Sequence, residues 1–341
     1  MRRHIAIASS AVVLAVLSGV GVLAWRLAPR AVTVTTGQFP EELVYVRSSD
    51  DVVNGGAMFK PPKAVAKPIA IVWMHGWGVN FYSPTYVNIG RRLAERGFTT
   101  VTINTRMHDI GTIEGFRFGK RVRGGGVWGV TSDEAKDISA WMDFVERQGF
   151  ARVVLVGHSA GWATVRAYQA AAQDPRVVGL VLASGQARGG STATDPQLLT
   201  QATKLVADGG GEDLLRLPNR SFPSFVSAAT YADLAKVPAD MLDFFGERTP
   251  NPGITRITCP ILAFFGTRES DVGTEGDLAV LKSSVDRQRT HPKVTTAMIG
   301  GADHMYAGEE AQVAQVISTW ADSLQVRADS SSTRLDPSPT R

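Results

Sequence analysis

The run Val153-Val154-Leu155-Val156-Gly157-His158-Ser159-Ala160-Gly161 decides how the rest of the chain is read. Its four leading aliphatic residues predict a buried strand. A serine flanked at two residues' distance by glycines comes next, and helical spacing follows from about residue 161 to 173. Strand, sharp turn and helix with serine at the apex push a hydroxyl out over the edge of a sheet. Such a turn strains the serine backbone and brings neighbouring chains close, which is what glycine on either side permits. It also aims a helix N-terminus at the serine, where the positive end of the dipole favours a developing oxyanion. Ser159 is therefore the candidate nucleophile. Outside this context G-x-S-x-G is only a glycine-rich turn. His158 lies inside the motif, but the side chain next to the serine points elsewhere, so a supporting role is expected for it.

Outward from this run, strands and helices alternate. Apolar strand patterns occupy residues 69–74, 99–103, 177–183, 261–265 and 294–299. Helical spacing occupies 86–96, 131–148 and 309–324, and Thr131 with Glu134 has the form of a capping box. Residues 42–47 and 53–59 read as a hairpin, with Asn54-Gly55-Gly56 as turn material. Repeated β-α units predict an α/β fold with a mostly parallel central sheet and helices on both faces. Ligands of such sheets bind beyond the carboxyl ends of the strands. Between 185 and 257 the alternation stops, and a cap insertion is expected there. Arg121-Val122-Arg123-Gly124-Gly125-Gly126 does not join a strand to a helix as a phosphate loop would, and reads as a surface loop. After Leu324 the composition turns to Ser, Asp, Pro and Arg, which predicts a disordered tail over 325–341 around a folded body of 42–324.

The N-terminus differs in kind. Residues 5–25 carry no charge, and as a helix they would reach roughly 30 Å, the thickness of a bilayer's hydrocarbon core. Residues 1–30 are expected to form a transmembrane signal anchor or a cleaved signal peptide, with 31–41 as linker. The length favours an anchor, while Val22-Leu23-Ala24 offers a cleavage site. Either outcome puts the body outside the cytoplasm, membrane-anchored or secreted.

Arg2, Arg3, Arg26 and Arg30 are four of the 36 basic residues and precede the first acidic one, Glu41; the remainder balances the 32 acidic side chains. A neutral body gives no footprint for nucleic acid. Cys259 is alone, which excludes an intrachain disulfide, and its place before Pro260 and an apolar run predicts a core residue. No His/Cys cluster has metal-ligand spacing, so neither a metal nor another cofactor is called for.

Three motifs in order, His75-Gly76-Trp77-Gly78, Gly157 to Gly161, and Gly301-Ala302-Asp303-His304, each follow a predicted strand. With them the chain resembles the α/β-hydrolase superfamily, in the manner of serine esterases and lipases, from about residue 42 to 324. The resemblance implies a Ser-acid-His order along the chain. Of the six histidines, only His304 stands after the last strand, where the general base belongs. The acid of the family commonly lies three residues after a glycine and three before an apolar residue. Glu269 meets both spacings in Gly266-Thr267-Arg268-Glu269-Ser270-Asp271-Val272, and Asp271, the commoner residue type, is the alternative. The oxyanion hole would use the backbone N–H of Ala160 and that of Trp77.

Trp77, Phe81, Tyr82, Trp128 and Trp162 fall in segments expected to border the site, either as pocket wall or as packing. The substrate implied is a small-molecule or lipid-like carboxylic ester, with thioesters and amides as neighbours. A membrane-associated acyltransferase working through the same acyl-Ser intermediate is a second reading, and a non-catalytic binding protein of this fold a third; the intact Ser, His and oxyanion loop argue against the third. Nothing in the sequence sets an oligomeric state.

Overall fold

The computed structural model describes residues 40–117, 120–185, 195–218, 223–243, 249–250, 252–287 and 292–332. The expected signal or anchor segment lies outside these residues. Among the described residues no helix is long and apolar enough to cross a membrane.

Eight strands form one sheet: β1 (Glu41–Arg47), β2 (Val53–Phe59), β3 (Ile69–Met74), β4 (Thr100–Ile103), β7 (Arg152–His158), β8 (Val177–Ala183), β11 (Ile261–Gly266) and β12 (Val294–Ile299), in the spatial order β1-β2-β4-β3-β7-β8-β11-β12. The β1–β2 and β2–β4 pairs are antiparallel, and the other five pairs are parallel. Chain order reverses direction between β3 and β7, because β4 was laid to one side of β3 and everything later to the other. Crevices for ligands open at such a reversal.

Side-chain alternation along each strand sorts the core into two layers. Val72 and Met74 of β3, Leu155 of β7 and Phe265 of β11 pack with helices α3 (Glu134–Arg147), α4 (Ala160–Ala172) and α8 (Glu275–Asp286). Ile71 and Trp73, Val156 and Phe264 face the other way, onto α1 (Pro84–Glu95) and α9 (Glu310–Ser332). All six residues of β3 are buried, which is why that strand reads as an unbroken apolar run. Cys259 is buried in the first of these layers, and burial pushes its thiol up to about 12.

Register brings the strand ends level. Met74 pairs with Gly157, His158 with Ala183, Ala183 with Phe264, and Gly266 with Ile299. The residues just past these positions therefore share one edge of the sheet.

Several local expectations are corrected. Asn54, Gly55 and Gly56 belong to β2, and the turn before it is built by Ser48, whose hydroxyl accepts from the Val52 N–H at 3.1 Å. Residues 120–124 form β6 (Lys120–Gly124), which pairs with β5 (Thr112–Arg117) and leads into the short helix α2 (Gly125–Trp128), so the arginine-glycine stretch is not a loop. Thr131 does not cap α3. It opens a 3-10 turn, and Glu134 becomes the first residue of α3 with its carboxylate directed inward. The closing helix α9 runs to Ser332, past the expected start of a disordered tail at 325; residues 333–341 lie outside the described part.

Between β8 and β11 the chain forms α5 (Pro196–Ala207), the ribbon β9 (Leu214–Arg216) and β10 (Phe225–Ser227), and the helices α6 (Ala228–Leu234) and α7 (Ala239–Leu242). Ala202, Leu215, Val226, Ala228 and Tyr231 give it a small core of its own. Thr230 Oγ1 bonds the carbonyls of Val127 and Gly129, and Asp233 accepts from the Ser132 hydroxyl at 2.7 Å, which docks this segment on the turn after α2.

Candidate active site

Ser159 sits between the last residue of β7 and the first of α4, at φ 54° and ψ −120°. A non-glycine residue adopts this left-handed conformation only where its surroundings enforce it. Its N–H donates to the Ala183 carbonyl at 2.9 Å, and its own carbonyl accepts from Trp162 N at 3.1 Å. The flanking glycines leave no room for side chains: a Cβ on Gly157 would meet the Gly161 carbonyl oxygen at 2.3 Å, and one on Gly161 would meet that of His75 at 2.5 Å. The start of α4 is thus wedged against the loop after β3. Ala160 is exposed at the first position of α4, where backbone N–H groups have no partner within the helix.

His304 Nε2 lies 2.9 Å from Ser159 Oγ, and its Nδ1 lies 2.8 Å from Glu269 Oε2. A carboxylate oxygen accepts, so Nδ1 carries the proton and Nε2 is free to accept from the serine hydroxyl. Glu269 is buried, and its other oxygen accepts from the Ser184 hydroxyl and the Gly266 N–H. Ser184 accepts in turn from the Tyr306 hydroxyl. Ser184 (φ 47°) and Tyr306 (φ 57°) are also left-handed. The loops that carry acid and imidazole are tied together, since Thr267 N donates to the Ile299 carbonyl and Arg268 N to that of Ala302. Asp271, the alternative acid, is exposed two residues further on.

The loop His75-Gly76-Trp77-Gly78 passes the serine at Gly76, where a Cβ would stand 2.8 Å from Ser159 Cβ. His75 is buried and fixed on both sides. Its Nε2 accepts from the Thr105 N–H at 3.1 Å, and its Nδ1 donates to the Gly76 carbonyl at 2.7 Å. Burial drops this imidazole to about 4, so it is neutral. Gly76 N–H donates to Tyr86 Oη at 3.3 Å. Trp77 follows, half-buried, its indole N–H on the Gly126 carbonyl at 3.2 Å.

The aromatic residues expected near the site divide. Trp162 is core, stacked on Phe265 at 5.8 Å between ring centroids. Tyr82 is exposed against Phe81, and Trp128 donates to the Glu212 carbonyl at 3.1 Å. Among the described residues no group of three or more His, Cys, Asp or Glu is placed to hold a metal ion. Tyr86, Ser184 and Tyr306 escaped sequence reasoning. For Ser184 a signal existed: it directly follows β8, on the edge that also carries Ser159.

Solved structures of low identity share the fold. Est1E from Butyrivibrio proteoclasticus superposes with a TM-score of 0.55 at 15% identity, over 85% of this chain and 100% of that one. A thermostable carboxyl esterase from Bacillus coagulans gives 0.57 at 17%, over 85% and 99%. An esterase from Pyrococcus furiosus gives 0.53 at 15%, over 88% and 96%. No curated protein matches the sequence significantly. The sequence profile of the Alpha/beta hydrolase family matches residues 71–316, which is most of the chain and spans the loop His75 to Gly78, the elbow at Ser159 and the loop of His304. The chain belongs to the α/β-hydrolase family.

Proposed function

We propose that the protein is a serine hydrolase that cleaves carboxylic esters through an acyl-Ser159 intermediate. The observation that carries this reading is the continuous contact from Ser159 Oγ through His304 to Glu269, with the serine held on a strained elbow at the start of a helix. In the first step His304 Nε2 takes the serine proton as Oγ attacks the ester carbonyl. The N–H groups of Ala160 and Trp77 receive the negative charge of the tetrahedral intermediate. Glu269 holds the Nδ1–H tautomer and stabilises the imidazolium. The same proton then passes to the departing alkoxide, and a water molecule repeats the sequence to release the acid. The two neighbours named as esterases, one of them a carboxyl esterase, are consistent with ester as the substrate class. Residues 5–25 support membrane anchoring or export of the domain.

The test uses the full-length protein. A fluorophosphonate should label the wild type and not Ser159→Ala, in the membrane or exported fraction. Ser159→Ala should also lower kcat on p-nitrophenyl esters by roughly five to six orders of magnitude. Labelling that survives Ser159→Ala would remove the serine from its role. Ester product formed from added alcohol in preference to acid would turn the reading into acyl transfer, and labelled protein free in the cytosol would remove the membrane.

A further inference from the structure

We propose that His158, through Tyr86, is a hydrogen-bonded bridge that holds the oxyanion loop and the His304 loop in register, and so acts as a positioning residue for the reaction. The inference rests on the reading of Ser159 and His304 given above.

The bridge can be followed atom by atom. His158 Nε2 lies 2.8 Å from the main-chain carbonyl of His304, and its Nδ1 lies 2.6 Å from Tyr86 Oη. A carbonyl only accepts, so Nε2 carries the ring proton and Nδ1 is bare. Tyr86 must then donate to Nδ1, which leaves its oxygen to accept from the Gly76 N–H at 3.3 Å. Each polar atom has one role, and the three bonds run in one direction from the oxyanion loop to the base loop. These loops are separated by more than two hundred residues of sequence and meet nowhere in a common strand pair.

The surroundings say that the polar atoms are there for these bonds. His158 is fully buried among the rings of Trp73, Tyr86 and Tyr306, with centroids 6.4, 5.5 and 5.2 Å away. A phenylalanine would suit that neighbourhood, and an imidazole left without partners there would be costly. The bridge also needs a neutral ring. A proton on Nδ1 would turn the Tyr86 donor away and reverse the bond between them. Burial first, and the His304 imidazole 5.0 Å away by ring centroid second, hold the ring down at about 3. The neighbouring His304 can therefore become charged in each turnover while His158 does not.

His158 does not touch substrate, so its loss should appear in kcat with KM nearly unchanged, because the loops it aligns act on the transition state. His158→Phe keeps the packing and removes both bonds. It should lower kcat about 10²-fold, the size of effect that a displacement near 1 Å produces, with KM within about threefold. Tyr86→Phe removes only the hydroxyl and should lower kcat about tenfold. His158→Gln can place an amide N–H near the Nε2 position, restoring the donor to the His304 carbonyl, and should recover a large part of the loss. The double variant with Tyr86→Phe should be no slower than His158→Phe alone, because one bridge is broken once.

The experiment is steady-state hydrolysis of p-nitrophenyl esters by these four variants and the wild type, each checked by thermal melt and fluorophosphonate labelling. If His158→Phe fails to fold, Tyr86→Phe and His158→Gln still decide the matter. A folded Tyr86→Phe or His158→Phe with wild-type kcat overturns the bridge alone, as does a Gln variant no faster than the Phe variant, which would leave only packing. A wild type that takes no label and cleaves no ester overturns the hydrolase reading and the bridge with it.

Discussion

Two glutamates are buried under the same edge of the sheet and have opposite surroundings. Glu269 follows β11 and accepts from Ser184, the Gly266 N–H and His304. Glu134 begins α3 and accepts from two threonine hydroxyls, Thr105 at 2.6 Å and Thr164 at 2.9 Å. Burial pushes the Glu134 carboxyl up to about 7; the two hydroxyls pull it down only in part. Among the described residues no cation pairs with it: Arg106 is turned to Asp137 and Asp50 and acts on Glu134 only at longer range. Thr105 also reaches His75, which burial keeps neutral, so Glu134 stands among uncharged partners, while Glu269 faces the His304 ring. Burial of a carboxylate therefore does not by itself indicate a catalytic acid. What its second oxygen faces does.

The largest expected effect separates them directly. Glu269→Gln should lower kcat by up to about 10⁴ with little change in KM, because the wrong tautomer of His304 results. Glu134→Gln should change kcat by less than about fivefold, and Asp271→Asn should behave like it, since Asp271 is exposed. Glu269 is buried, so Glu269→Gln should also melt lower than wild type. Steady-state kinetics on folded protein checks this. Equal losses for Glu269→Gln and Glu134→Gln would break the comparison, and a larger loss for Asp271→Asn would move the acid.

A smaller effect tests why Glu269 is held where it is. Ser184→Ala removes one donor from its carboxylate and leaves the Tyr306 hydroxyl without its acceptor. One hydrogen bond to a charged group supports an expected kcat loss of about tenfold. Thr164→Val, which removes the equivalent donor from Glu134, should leave kcat within about threefold. Similar kcat losses for the two would show that the hydroxyls serve stability alone.

What the sequence made legible follows from range. The strands 69–74 and 153–156 announce themselves as apolar runs because parallel strands are covered on both faces. The elbow is legible because Gly157 and Gly161 are required by contacts within a few residues of Ser159. Glu269 and His304 follow strand patterns, so the loops that carry them could be found, and the structure brings both into contact with the serine's side of the sheet. The bridge from Tyr86 to His158 and on to His304 was invisible, since its bonds join residues 72 and 146 positions apart with no periodic signature. The same holds for Tyr306 and Ser184, 122 apart. Thr131 and Glu134 misled for the opposite reason. Their spacing satisfies a local rule, but Thr105 and Thr164, distant in sequence, draw the Glu134 carboxylate into the interior.

The smallest effect concerns stability against pH, and Glu134 determines its sign. An unfolded glutamate titrates near 4.5, whereas burial raises the folded value to about 7. Below 4.5 both states hold the proton and Glu134 adds no slope. Between 4.5 and 7 the folded state keeps a proton that the unfolded state has released, so stability falls as pH rises. Above 7 both are ionised and the loss stays constant, on the order of 3 kcal/mol from this group. Glu134→Gln does not titrate and should lose that slope. Its carboxamide can be accommodated: the Thr164 hydroxyl still donates to the amide oxygen, while Thr105 Oγ1 can turn its proton to His75 Nε2, 3.3 Å away, and accept from the amide nitrogen. The variant should therefore melt above wild type at pH 8, by about 5 to 10 °C if the whole difference is expressed, with the gap closing toward pH 4.5. Melting curves across pH 4.5 to 8 read this directly. A variant that melts below wild type by the same amount at every pH would mean that Glu134 is ionised and satisfied as it stands, and that the two glutamates differ less than their partners suggest.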